Sequence, residues 1–123
     1  MNEKAQQHLM TAARLLFTDP QTQGATGITA VFHIEPGVHG CFAYRFDDDG
    51  HAFFFPVDEF SDHMVELNSA SQVPGDKPWV ACLVQVKANG KLSCDFEYDN
   101  VDRWSVRPAT YETDIARLRP DLQ

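Results

Sequence analysis

The dipeptide Asn89-Gly90 constrains this chain more than any other feature. Both residues tolerate the positive φ values that a tight two-residue turn demands, and alternating runs flank them. Trp79 to Val86 is apolar and β-branched, and Lys91 to Tyr98 alternates strictly. In the second run Leu92, Cys94, Phe96 and Tyr98 point one way, while Lys91, Ser93, Asp95, Glu97 and Asp99 point the other. A hairpin with one core face and one acidic face is therefore expected, and two antiparallel strands need further strands or helices to bury that face.

Those partners can be read along the rest of the chain. Asn2 to Phe17 has the period of an amphipathic helix, with Ala5, Leu9, Ala12 and Leu16 on one stripe, and Asp19-Pro20 stops it. Gln21 to Gly27 is a polar loop. Ile28 to Ile34 reads as a strand closed by Glu35-Pro36-Gly37, and Cys41 to Phe46 and Ala52 to Phe55 as strands joined through Asp47-Asp48-Asp49-Gly50. Asp58 is placed to cap a second helix carrying Phe60, Met64 and Leu67, followed by a loop from Asn68 to Lys77. A short helix from Thr110 to Leu118, with Tyr111, Ile115 and Leu118 on one face, precedes Pro120. The order α-β-β-β-α-β-β-α with hairpin connections implies an α+β domain, an antiparallel sheet of about five strands covered by helices on one side. A chain of 123 residues with 43% apolar content suits one such domain over residues 1–123.

Several chemistries find no motif. His8, His33, His39, His51 and His63 share no ligand spacing, so no metal or other cofactor is expected. The run Asp47 to Gly50 resembles a calcium loop only in composition, since the position that must be glycine is Ala52. There is no nucleophile elbow, phosphate-cradling glycine loop or Cys-x-x-Cys, and the chain is not expected to be an enzyme. Cys41, Cys82 and Cys94 are an odd number at wide spacing, which fits reduced, buried thiols. The amino-terminal residues lack the pattern of a signal peptide, and no apolar run approaches the ~20 residues that cross a bilayer. A cytoplasmic protein without membrane contact is expected.

Charge is the strongest pointer to function. The net charge is −8, and the segment from Phe46 to Asp76 contains no lysine or arginine while holding Asp47, Asp48, Asp49, Asp58, Glu59, Asp62, Glu66 and Asp76. That segment alone accounts for the whole imbalance. Nucleic acid would be repelled by it and a basic protein attracted. Asp58, Asp62 and Glu66 recur at i, i+4 and i+8 with Glu59 beside them, so like charges line one helix face at a cost of a few tenths of a kcal/mol per pair. A second acidic group, Asp95, Glu97, Asp99 and Asp102, is followed by Trp104, which stands either as an interface anchor or as a lid on the core. These nine residues are the candidate binding site.

The carboxyl-terminal pattern Pro78-Trp79, Asn89-Gly90-Lys91, Phe96-Glu97-Tyr98-Asp99-Asn100 and Asp102-Arg103-Trp104 resembles the YezG-like bacterial immunity proteins, which include cognate inhibitors in contact-dependent growth inhibition and related polymorphic toxin systems. The resemblance implies a protein that binds the toxic C-terminal domain of its own toxin, often a nuclease, and blocks it inside the producing cell. It rests on Glu97 and Asp99, with Phe96, Tyr98 and Trp104 supporting them from the core; the helix carboxylates are implicated by charge alone. The competing expectation is a small-ligand or regulatory module, in which Phe42, Tyr44, Phe53, Phe54 and Phe55 line a pocket within the sheet.

Overall fold

The computed structural model describes residues 1–120 and has the expected α+β architecture. Helix α1 (Glu3–Thr18) starts where the Asn2 side chain accepts the Ala5 N–H at 2.8 Å. It ends at Asp19, held extended by the proline that follows, and the expected loop opens with a single 3-10 turn, Pro20–Thr22. Strands β1 (Gly27–Glu35), β2 (Val38–Asp47) and β3 (Gly50–Phe54) form a meander. Helix α2 (Asp58–Ala70) comes next, then strands β4 (Ala81–Lys87) and β5 (Leu92–Glu97), and finally helix α3 (Tyr111–Leu118). The sheet order is β3-β2-β1-β4-β5, every pair antiparallel.

Local boundaries moved for local reasons. Glu35 pairs directly with Val38, so the turn is only Pro36-Gly37 and β2 begins ahead of Cys41. Asp58 does not cap α2: the capping position is Val57, which offers no side-chain acceptor, and Asp58 and Glu59 instead place negative charge in the first helical turn. The helix also runs beyond its expected end. Asn68 is buried within it and donates through Nδ2 to the Trp79 carbonyl at 2.8 Å, while Trp79 Nε1 donates to Ser71 Oγ at 3.0 Å. That pair of bonds ties the end of α2 to the entry of β4.

The larger correction concerns the layers. Helices cover both faces of the sheet, because β1 is buried without interruption from Gly27 to Phe32. Ile28, Ala30 and Phe32 pack with Ala43, Phe54, Cys82 and Val84 under α1 and α2. Val31 packs on the other side with Tyr44, Phe46 and Leu83 against Ile115 and Leu118 of α3. Near-continuous burial of this kind is the mark of a strand covered on both sides. Two sheet residues hold α3 in place: Thr29 Oγ1 and Gln85 Nε2 both donate to the Leu118 carbonyl. Tyr111 does not join that apolar face; it is exposed, and its hydroxyl meets His51 Nε2 at 3.1 Å.

On the first face α1 and α2 run antiparallel. Asn2 Nδ2 donates to the Ala70 carbonyl at one end, and His8 Nδ1 lies 3.1 Å from His63 Nδ1 further along. The ring centroids are 5.3 Å apart with planes tilted by 43°, and a hydrogen bond between the two nitrogens uses one ring as donor and the other as acceptor. Among the described residues, no helix is long and apolar enough to cross a membrane.

Candidate functional site

The periodicity of α2 decides the surface it shows. Phe60, Met64 and Leu67 are buried, which turns Asp58, Glu59, Asp62 and Glu66 outward, all four exposed. None of them makes a salt bridge among the described residues, where the ion pairs are Arg45 with Asp47, Lys77 with Asp99 and Arg103 with Glu97. The carboxylates therefore stand as an uncompensated negative face, supported from below by the apolar core.

The second acidic group is not a free surface. Only Asp95 and Glu97 of that group lie within β5, and Asp99 and Asp102 fall in the turns beyond it. Glu97 Oε2 accepts the backbone N–H groups of Asp99 at 2.9 Å and Asn100 at 3.1 Å, and Oε1 accepts from Arg103 Nη1 at 3.2 Å. Those two backbone donors, and after them the guanidinium, hold the Glu97 carboxyl below the usual glutamate range. Asp99 is paired with Lys77, and Asp102 accepts from Ser105 Oγ at 3.4 Å. Glu97 thus folds the link after β5, and Asp95 alone of the four is exposed without an ion pair or a side-chain hydrogen bond.

The aromatic residues around that link also differ from expectation. Phe96 is half-buried and packs on Trp79 with centroids 5.2 Å apart, but Tyr98 is 47% exposed and is not part of the core. Trp104 is half-buried, packed on the cluster beneath α3 and covered by Arg103, whose guanidinium carbon lies 4.8 Å from its ring. The two carboxylate groups are not brought together. Asp95 and Glu97 pair opposite Leu83 and Ala81 on the α3 side of one sheet edge, whereas α2 covers the other face.

Three consecutive phenylalanines divide between the faces. Phe54 is buried under the helices at 5% exposure, while Phe53 and Phe55 stand out on the opposite face, 49% and 67% exposed, with Val57 following. Their rings are 4.8 Å apart and nearly perpendicular. Phe42, Tyr44, Phe53, Phe54 and Phe55 therefore do not share one face, and a nearby cleft of about 330 Å³ is lined instead by Phe46, His51, Glu112, Ile115, Ala116 and Arg119. Sequence reasoning missed Phe53 and Phe55 as surface features, although strict alternation from the buried Phe54 would have exposed them.

The thiols are not poised for chemistry. Burial pushes Cys41, Cys82 and Cys94 above the ordinary thiol value, so each stays protonated near neutral pH. The hydrogen-bond partner of Cys41 is Ser61 Oγ at 3.3 Å rather than a histidine. Among the described residues, no group of three or more histidine, cysteine, aspartate or glutamate side chains is arranged to hold a metal ion. No protein-family model matches the chain, and no curated protein matches its sequence.

Proposed function

We propose that this protein is an immunity protein, resembling the YezG-like kind, that neutralises a basic toxin domain by occluding the surface with which that domain holds its substrate. The observation that carries the reading is the exposed face Asp58, Glu59, Asp62 and Glu66, uncompensated by any cation among the described residues, within a segment that accounts for the whole net charge. A nuclease must be basic where it grips phosphate, so a row of carboxylates can take the place of the nucleic acid backbone. Charge sets the rate of encounter, and apolar contact sets the lifetime of the complex. Occlusion asks for no cofactor and no catalytic residue on this side of the interface. Within the site, the α2 carboxylates are assigned to the partner, while Glu97 and Asp99 support the fold of the hairpin that resembles the family.

The test is affinity capture from the cell of origin at low and moderate salt, followed by assay of the retained fragment. A basic toxin C-terminal domain, held one to one, whose nuclease activity is abolished by stoichiometric addition of this protein, supports the reading. Capture of no such domain, or a toxin complex indifferent to charge reversal at both Asp62 and Glu66, sinks it.

A further inference from the structure

Strand β3 is an edge, and its open side is built unlike that of β5. The register pairs Asp47 with Gly50 across the two-residue turn, so hydrogen-bonded pairs alternate from there: Gly50, Ala52 and Phe54 commit their backbone groups to β2. His51 and Phe53 turn theirs outward. At the far end Gln21 Nε2 donates to the Phe55 carbonyl at 3.2 Å and closes the edge. Beside the open groups stand the exposed rings of Phe53 and Phe55 and the side chain of Val57.

Natural edge strands are blunted by lysine, by proline within the strand or by inward-pointing charge. The run Gly50-His51-Ala52-Phe53-Phe54-Phe55 has none of these, and its Pro56 comes only after it. Carboxylates bracket the run instead: Asp48 and Asp49 in the turn before it, Asp58 and Glu59 at the start of α2 after it, all exposed and none in an ion pair among the described residues. At ~3.3 Å per residue the six-residue run between them spans about 20 Å. At β5, by contrast, Leu92, Cys94 and Phe96 are half-buried and pack against the core, and Lys91 precedes the strand.

We infer that the open edge of β3 takes an extended segment of a basic protein as a sixth strand, with apolar side chains against Phe53 and Phe55 and lysines or arginines at both ends. The inference rests on the proposed function in assigning that segment to the partner whose charge α2 attracts. Charge selects this occupant over a second copy of the chain, because two copies would set Asp48, Asp49, Asp58 and Glu59 against each other. Strand addition supplies main-chain hydrogen bonds, and the two rings supply the pocket contacts that give selectivity.

The full chain, labelled with 15N, is titrated with a synthetic peptide of alternating valine and threonine closed at each end by two lysines. The expected result is movement of the His51 and Phe53 amide signals, with affinity reduced about thirtyfold by Phe53→Glu, the scale of one interface hot spot. Phe55→Ser, which lies beyond the strand, gives the same loss if the first variant disturbs the sheet. Movement at Leu92–Glu97 instead, equal binding of a peptide ending in glutamates, or no movement at millimolar peptide overturns the inference. So does movement of the β3 amides with protein concentration alone, which would make the occupant a second copy. A basic toxin domain captured equally well by wild type and by Phe53→Glu leaves the proposed function standing and removes the sixth strand. Peptide binding at β3 without any basic toxin does the reverse.

Discussion

Replacing Asp62 by asparagine should make the fold more stable and the protein less able to bind. On α2 the Asp62 carboxylate has Asp58 four residues before it, Glu59 three before it and Glu66 four after it, all exposed and without cations. Like charges at such spacings cost about 0.2–0.5 kcal/mol per pair at low ionic strength. Removing three of them stabilises by roughly 1 kcal/mol, and asparagine has nearly the helix propensity of aspartate, so little else changes. For a chain of 123 residues, an unfolding entropy of about 2 cal/mol/K per residue converts that gain into a Tm about 4 °C higher. Asp62→Lys turns repulsion into attraction and should roughly double the gain. Thermal unfolding in 10 mM and in 1 M sodium chloride is the assay, because a Debye length of about 3 Å at 1 M removes the effect. In parallel, association with the basic partner should slow a few-fold while dissociation hardly changes. No rise in Tm at low salt, or a rise of equal size in 1 M salt, refutes the claim that these carboxylates repel one another. A cost carried in the free protein is what a surface shaped for a partner of opposite charge would show.

Three other outcomes follow from the packing. Asn68→Leu keeps the branching and heavy-atom count of the side chain but leaves the buried Trp79 carbonyl without its donor, which should cost about 1–3 kcal/mol and lower the urea midpoint without changing the m-value. Gly27→Ala would set a methyl carbon 2.9 Å from the Pro120 ring, so it should lose about 1–3 kcal/mol and loosen the end of α3, seen as faster amide exchange there. Because the folded-state pKa of Glu97 lies below its unfolded value, its contribution to the link after β5 is complete at neutral pH, declines as the pH drops below the ordinary glutamate value, and is gone once the pH has fallen through the lowered one. Amide signals of Asp99 and Asn100 followed through an acid titration should report that late transition, and Arg103→Ala should weaken it only modestly, since the guanidinium ranks behind the two backbone donors.

Part of the candidate site could be read in the sequence and part could not. The acidic face of α2 was legible because helical period and burial are both set by spacing: once Phe60, Met64 and Leu67 go inward, Asp58, Asp62 and Glu66 go outward. The bonding of the acids after β5 was not legible, because spacing says nothing about a side chain that curls back onto its own backbone, as Glu97 does onto Asp99 and Asn100. Phe53 to Phe55 misled for a related reason. A run of three aromatic residues suggests one cluster, while the pleat of a strand sends neighbours to opposite faces.

By itself the sequence determined the order and type of the elements and where the hairpins turn, since turn residues and periodicity act over a few residues. Pro36-Gly37 and the stripe of α1 carry that information locally, whereas the turn marked by Asn89-Gly90 has three residues rather than two: Lys87 and Lys91 bond across Ala88, Asn89 and Gly90, and only the glycine takes a positive φ. Only the tertiary structure decided that the sheet is covered on both faces, that the last turn of α3 is bonded to Thr29 far back in the chain, and that β3 rather than β5 offers an open apolar edge. Those outcomes depend on which surfaces meet across long sequence separations, where burying Ile115 and Leu118 against Val31 and Phe46 outweighs any local preference of an eight-residue helix that is too short to be stable alone.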